Sequence, residues 1–159
     1  MVVCRGGPGP RQAGGVPGAA AFYVSIFPNS RVTHTSHFLE GAPRPAGSVL
    51  TVEFTLDGND YVALNGGPDY KFTPAISLVV HCDTQEQVDH YWNRLLEGGQ
   101  EVQCGWLTDK YGISWQVVPR KLIEFFQSSD RAASQRAFTA MMGMRKLDIA
   151  ALQRAYDNC

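Results

Sequence analysis

A chain of 159 residues has room for one domain, or for two small modules sharing a core. Its 44% hydrophobic and 11% aromatic content supplies a packed interior, which excludes a wholly disordered chain. The formal charge of −1 with interspersed signs, and the lack of any apolar run near the roughly 18 residues that span a bilayer, point away from nucleic acid and membrane partners.

The N-terminal stretch is broken by Gly6, Gly7, Gly9, Gly14, Gly15 and Gly18, and by Pro8, Pro10 and Pro17. Such a segment loses much backbone entropy on ordering and has little to bury, so residues 1–20 are expected to be a flexible arm. Only Met1–Cys4 has the composition of a short strand. The segment lacks the apolar stretch of a secretory signal, and Cys4, Cys82, Cys104 and Cys159 show no CxxC spacing. A cytoplasmic, reduced setting is the expectation.

From Ala19 the pattern becomes helical, with Phe22, Tyr23, Ile26 and Phe27 on one face, and Pro28-Asn29-Ser30 ends it. Arg31–Leu39 reads as a strand. Ser48–Leu56 alternates, with Leu50, Val52, Phe54 and Leu56 on one side and Thr51, Glu53 and Thr55 on the other. Asp57-Gly58 is a hairpin turn, Tyr61–Asn65 returns, and Gly66-Gly67-Pro68 stops it.

A second cycle starts with the strand Ile76–Cys82. Thr84 and Gln87 have the spacing of a capping box, and Val88, Tyr91, Trp92 and Leu95 form the stripe of the helix that follows, closed by Gly98-Gly99. Val102–Leu107 and Ile113–Val118 read as strands joined through Asp109–Gly112. Beyond Leu122 the chain is helical, with a Met and aromatic stripe better read as packing than as a cofactor box. A tail so apolar must cover either its own sheet or a partner subunit. The matching order of helix and strands in the two halves suggests a duplication.

Several stretches carry a resemblance: FYVSIFPNSR, YVALNGGPDYKFTPAISLVV, VDHYWNRLLEGG, CGWLTDKYGISWQVVP and AMMGMRKLDIAAL. Together they resemble the PhnB-like, 3-demethylubiquinone-9 3-methyltransferase-like branch of the vicinal-oxygen-chelate (glyoxalase/bleomycin-resistance/dioxygenase) superfamily. The resemblance implies an α+β fold of two βαβββ modules whose strands curl into a mixed, cup-like sheet, usually within a homodimer. Module one would span about 21–68, module two about 74–120, and a helical tail 121–159. The first strand is missing or atypical, because RQAGGVPGAA stands where the family has a strand and an acidic entry into the helix. A disordered arm would leave one sheet edge open and invite aggregation or strand swapping.

Enzymes of the superfamily hold a divalent metal through His, Glu or Gln of equivalent strands. Carried over position by position, the slot often held by His falls on Ala75, and the slot often held by Glu falls on Gln116, a weak neutral donor. Ala63 and Asn65 lie at the corresponding end of module one, and His34 and His37, three apart on a strand, should face opposite ways. His81 and His90 read as a strand-end and a helix residue rather than as ligands. No cofactor is therefore expected.

Alternation starting from Gln116 turns Ser114 and Val118 inward, and by the same logic Thr51, Glu53, Thr55, Ala63, Asn65, Ser77 and Val79 line the cup. Substrate contacts are thus expected from Thr51, Asn65, Ser77, Trp106, Ser114 and Gln116. Glu53 is the candidate general base, or else a carboxylate facing water on an exposed sheet. Trp106 stands at the cavity rim or in the core. S-adenosylmethionine-type transferases need a parallel sheet with a Gly-rich strand-to-helix turn, whereas Gly66-Gly67-Pro68 leads into another strand, so the methyltransferase label reads as inherited. No Walker loop, GxSxG or HExxH occurs.

The leading expectation is a dimeric, metal-poor cup that binds a small, partly apolar molecule. The rival is a lyase, isomerase or dioxygenase-like enzyme built around Glu53 and Gln116, and the third reading is a structural dimer whose cavity is filled by side chains.

Overall fold

The computed structural model describes residues 2–4, by backbone alone, together with 15–66 and 71–158. The chain forms two compact units, Met1–Lys71 and Phe72–Cys159, and each contains one βαβββ module.

In the first unit, β1 (Val2–Cys4) is followed by α1 (Gly15–Val24), β2 (Arg31–His37), β3 (Val49–Leu56) and β4 (Asn59–Asn65). The sheet order is β1-β4-β3-β2, with β1 parallel to β4 and the other pairs antiparallel. The short strand expected near Met1–Cys4 thus exists. Its backbone pairs with Ala63, Leu64 and Asn65, so this stretch of the β4 edge is not open. Most of the expected arm, residues 5–14, lies outside the described residues.

The helix begins at Gly15, earlier than its apolar stripe suggests, and residues 15–20 are therefore not part of a flexible arm. Pro17 lies in the first turn, where its missing N–H costs nothing, and Ala19–Ala21 are strong helix formers. Val16, Ala19, Ala20, Phe22 and Tyr23 are all buried. Tyr23 stacks on Phe54 at 6.4 Å, and Phe54 on Tyr61 at 5.7 Å. Burial of each large apolar side chain of this kind contributes about 1.5–3 kcal/mol. Asp57 and Gly58 both take positive φ (45° and 78°), the conformation a two-residue hairpin turn requires.

The second unit repeats the pattern with β5 (Ser77–Cys82), α2 (Gln85–Leu95), β6 (Gln100–Glu101), β7 (Trp106–Thr108) and β8 (Ser114–Pro119). Its order, β5-β8-β7-β6, again sets the first strand parallel to the last. Thr84 caps α2 by accepting from Gln87 N–H, while the Gln87 side chain accepts from Asp83 N–H, one residue before the cap. Val88, Trp92 and Leu95 then cover Val80, Cys82, Leu107, Trp115 and Val117.

The stretch 102–107 is not one strand. Cys104 and Gly105 adopt left-handed φ (61° and 80°), and the chain turns there between β6 and β7. The amides of Cys104 and Gly105 donate to the carbonyls of Met144 and Arg145, which binds the turn to the tail.

The tail comprises α3 (Arg120–Gln127), α4 (Arg131–Met142) and α5 (Ile149–Asp157), the last two capped by Asp130 and Asp148. Leu122, Phe125, Ala137, Leu147 and Leu152 form its core, against which Met141, Met144 and Val118 pack. Gln85 accepts from Ile149 N–H and donates to the Leu147 carbonyl, tying the tail to α2. The tail packs on its own sheet through Val118. Phe126, Phe138 and Met142 remain exposed.

Burial, with help from the neighbouring Asp83 carboxylate, pushes the Cys82 thiol up to about 11. Cys82 should therefore resist alkylation at pH 8 in the native protein while Cys104 reacts, since the thiolate is the nucleophile. Peptide mass spectrometry after a timed iodoacetamide pulse checks this; equal labelling of the two would contradict it.

Candidate functional site

Each module's helix covers one face of its sheet, and the sites expected from sequence divide according to which face they occupy. In β3, Val52, Phe54 and Leu56 are buried under α1. Thr51, Glu53 and Thr55 point to the other face, with Glu53 exposed. The register places Glu53 opposite Val62 on β4 and opposite His34 on β2, and Thr51 opposite Leu64 and Ser36. The hydroxyls of Ser36 and Thr51 form a short hydrogen bond. The Thr55 hydroxyl oxygen is buried without a hydrogen-bond partner among the described residues.

Asn65 does not join this group. It shares the parity of Ala63, which is 1% exposed and pairs with Val52, so it lies on the face opposite Glu53 and Thr51. Its amide donates to the Val49 carbonyl at 3.1 Å. The alternation expected for His34 and His37 is also broken. Register shifts at Val32/His34 and Ser36/His37 set His34 opposite Glu53 and His37 opposite Val49, two positions of one face. Simple period-two counting cannot foresee such bulges.

The second module brings its expected residues together. Ser77 pairs with Ser114, Val79 with Gln116, Trp106 with Gln116, and Thr108 with Ser114, all on the face away from α2. The Gln116 amide nitrogen donates to Ser77 Oγ at 2.9 Å. Ser114 is 4% exposed and Trp106 and Gln116 are half-buried, whereas Val79 is 47% exposed. Val118, the next residue on this face of β8, is covered by the tail. Thr108 was not singled out in the sequence, although the alternation through Trp106 points to it.

The opposite face holds Trp115, whose indole N–H donates to Asp109 Oδ2 at 2.8 Å. The same carboxylate accepts from the amides of Tyr111 and Ile113, fixing the β7–β8 turn. Through these bonds the buried acid ties the turn to the core.

The metal slots implied by the superfamily do not fit an ion. Ala75 lies in the turn before β5 and has no side-chain donor, and Ala63 is buried on the helix face, so the Gln116 amide oxygen would stand as a lone, weak neutral donor. Among the described residues, no three His, Cys, Asp or Glu side chains gather closely enough to hold a metal. Likewise, among those residues no helix is long and apolar enough to cross a membrane.

Comparison with known proteins agrees with this architecture. A Bacillus cereus PhnB protein, provisionally named a 3-demethylubiquinone-9 3-methyltransferase, superposes with a TM-score of 0.59 at 33% identity, covering 64% of this chain and 88% of that one. Protein PA1353 of Pseudomonas aeruginosa superposes with a TM-score of 0.57 at 16% identity, covering 74% and 92%, and shows the fold alone. No protein of curated function is significantly similar in sequence. The model of the family described as 3-demethylubiquinone-9 3-methyltransferase matches residues 13–118, most of both βαβββ modules, and the chain belongs to that family.

Proposed function

We propose that this protein binds a small, partly apolar organic molecule on the sheet faces turned away from its helices, as a cytoplasmic homodimer of the vicinal-oxygen-chelate superfamily. The reading needs neither a resident metal ion nor S-adenosylmethionine. The observation that carries it is the Gln116–Ser77 pair: an amide and a hydroxyl, already oriented toward each other, on a half-buried surface with Trp106 and Val79 beside them in register. Such a mixture of apolar area and a few fixed polar groups is what small-molecule sites are built from. Each sheet has one parallel strand pair and two antiparallel pairs, unlike the doubly wound parallel sheet that places nucleotide cofactors.

A calorimetric screen of neutral and charged metabolites against chelator-treated protein tests the proposal. Gln116→Leu should weaken a hit by about tenfold, the loss of one or two hydrogen bonds of about 1 kcal/mol each, with an unchanged melting temperature. Retained affinity in that variant would remove the proposed site. Stabilisation by several degrees with one divalent ion would overturn the metal-free reading.

The register pairing of Glu53 with His34 favours a second reading, in which Glu53 is a general base of an enzyme. If a screened compound turns over, Glu53→Gln should abolish turnover while leaving binding within about twofold, since the amide keeps the shape and one acceptor. Full activity in Glu53→Gln would end that reading.

A further inference from the structure

The sheet faces turned away from α1 and α2 differ in charge. The first module's face carries Arg31, Glu53 and Asp60 at register-paired positions. The strand positions of the second module's face carry hydroxyl, amide, aliphatic, indole and imidazole groups, and no carboxylate, ammonium or guanidinium. Its one titratable side chain, His81, is exposed at the end where the tail packs on Val118, two residues along from Val79.

The polar centre of the second face is the Gln116–Ser77 pair. With the amide nitrogen donating to Ser77 Oγ, the Gln116 carbonyl oxygen is left as an acceptor and the Ser77 hydroxyl proton as a donor. Exchanging the amide's oxygen and nitrogen reverses the roles, so in either arrangement the pair presents at least one donor and one acceptor. Trp106, opposite Gln116 on β7, adds an aromatic surface next to this couple, and Val79, opposite Gln116 on β5, adds an aliphatic one.

We infer that the face formed by Ser77, Val79, Trp106 and Gln116 selects uncharged planar molecules that carry a hydrogen-bond donor and acceptor side by side, as a primary amide or lactam does. This rests on the binding reading above and adds the chemical class. A carboxylate or an ammonium placed there would give up water and meet no opposite charge on the strands. A planar amide exchanges its water for the Gln116–Ser77 couple and lays its ring beside the indole.

The test uses rings of one size: benzamide, benzoate and benzylammonium, titrated into isotope-labelled full-length protein while the Trp106 indole N–H resonance is followed by NMR. Benzamide should shift that resonance at concentrations at least about tenfold lower than either charged ring, the order expected when an unpaired charge must be desolvated. Ser77→Ala combined with Gln116→Leu should erase benzamide's advantage, with Trp106 still reporting from a folded protein. Charged rings binding this face as well as benzamide does, or no response to any of the three, overturns the inference. The metabolite screen then shows separately whether the binding reading survives.

Discussion

Asp109→Ala is expected to lower the unfolding free energy by about 3–5 kcal/mol, because one buried carboxylate satisfies three N–H groups that would otherwise be left bare. Asp109 is 4% exposed and Trp115 is 3% exposed, so water does not readily replace the missing acceptor. The tie joins the β7–β8 turn to the core, and its loss should loosen β8, the strand that carries Ser114 and Gln116. Asp109→Asn keeps one oxygen but turns an NH2 toward a donor, and should fall between Ala and the native residue. Urea unfolding monitored by tryptophan fluorescence measures all three. A loss below about 1 kcal/mol in Asp109→Ala would mean that the turn is held by other contacts.

Gly99→Ala should cost about as much, for a steric reason. A Cβ on Gly99 would stand 2.2 Å from the Thr108 carbonyl oxygen and 3.0 Å from Asp109 Cα. Both are backbone atoms at the end of β7, so the strand itself has to move, and about 3 kcal/mol or more is expected. The neighbouring Gly98 provides the control. Its φ of +72° penalises a side chain by roughly 1–2 kcal/mol, but its Cβ would meet Lys110 Cβ at 3.4 Å, an ordinary van der Waals contact. Thermal or urea unfolding of the two alanine variants should therefore rank Gly99→Ala well below Gly98→Ala in stability. The reverse order would place the close contact elsewhere.

Neither Asp109→Ala nor Gly99→Ala removes a group of the Gln116–Ser77 pair, so stability and recognition are read from different variants. In the binding tests, Gln116→Leu should change affinity at constant stability. Asp109→Ala should change stability first, and affinity only as β8 loosens.

Local features of this chain were legible because they depend on neighbouring residues alone. The alternation Val52, Phe54, Leu56 against Thr51, Glu53, Thr55 assigned the faces of β3. Thr84 announced the start of α2, and Asp57-Gly58 announced a two-residue hairpin. That turn also carries register: it pairs Leu56 with Asn59, and counting inward sets Glu53 opposite Val62, so Asn65 belongs to the other face. Alternation counted within one strand at a time misses this.

What the tertiary structure alone decided are features set by residues distant in sequence. The strand composition at Met1–Cys4 is local, but where that strand sits, parallel to β4 along Ala63–Asn65, is not. Residues 15–20 become helix, despite Gly15, Pro17 and Gly18, because Val16, Ala19 and Ala20 are buried in the first unit's core. The bulges of β2 bring His34 and His37 to one face, and the turn at Cys104-Gly105 is held by the carbonyls of Met144 and Arg145, some forty residues downstream. Periodicity reports which side chains prefer to be buried. Pairing partners, which no local pattern contains, decide where each strand starts, slips and stops.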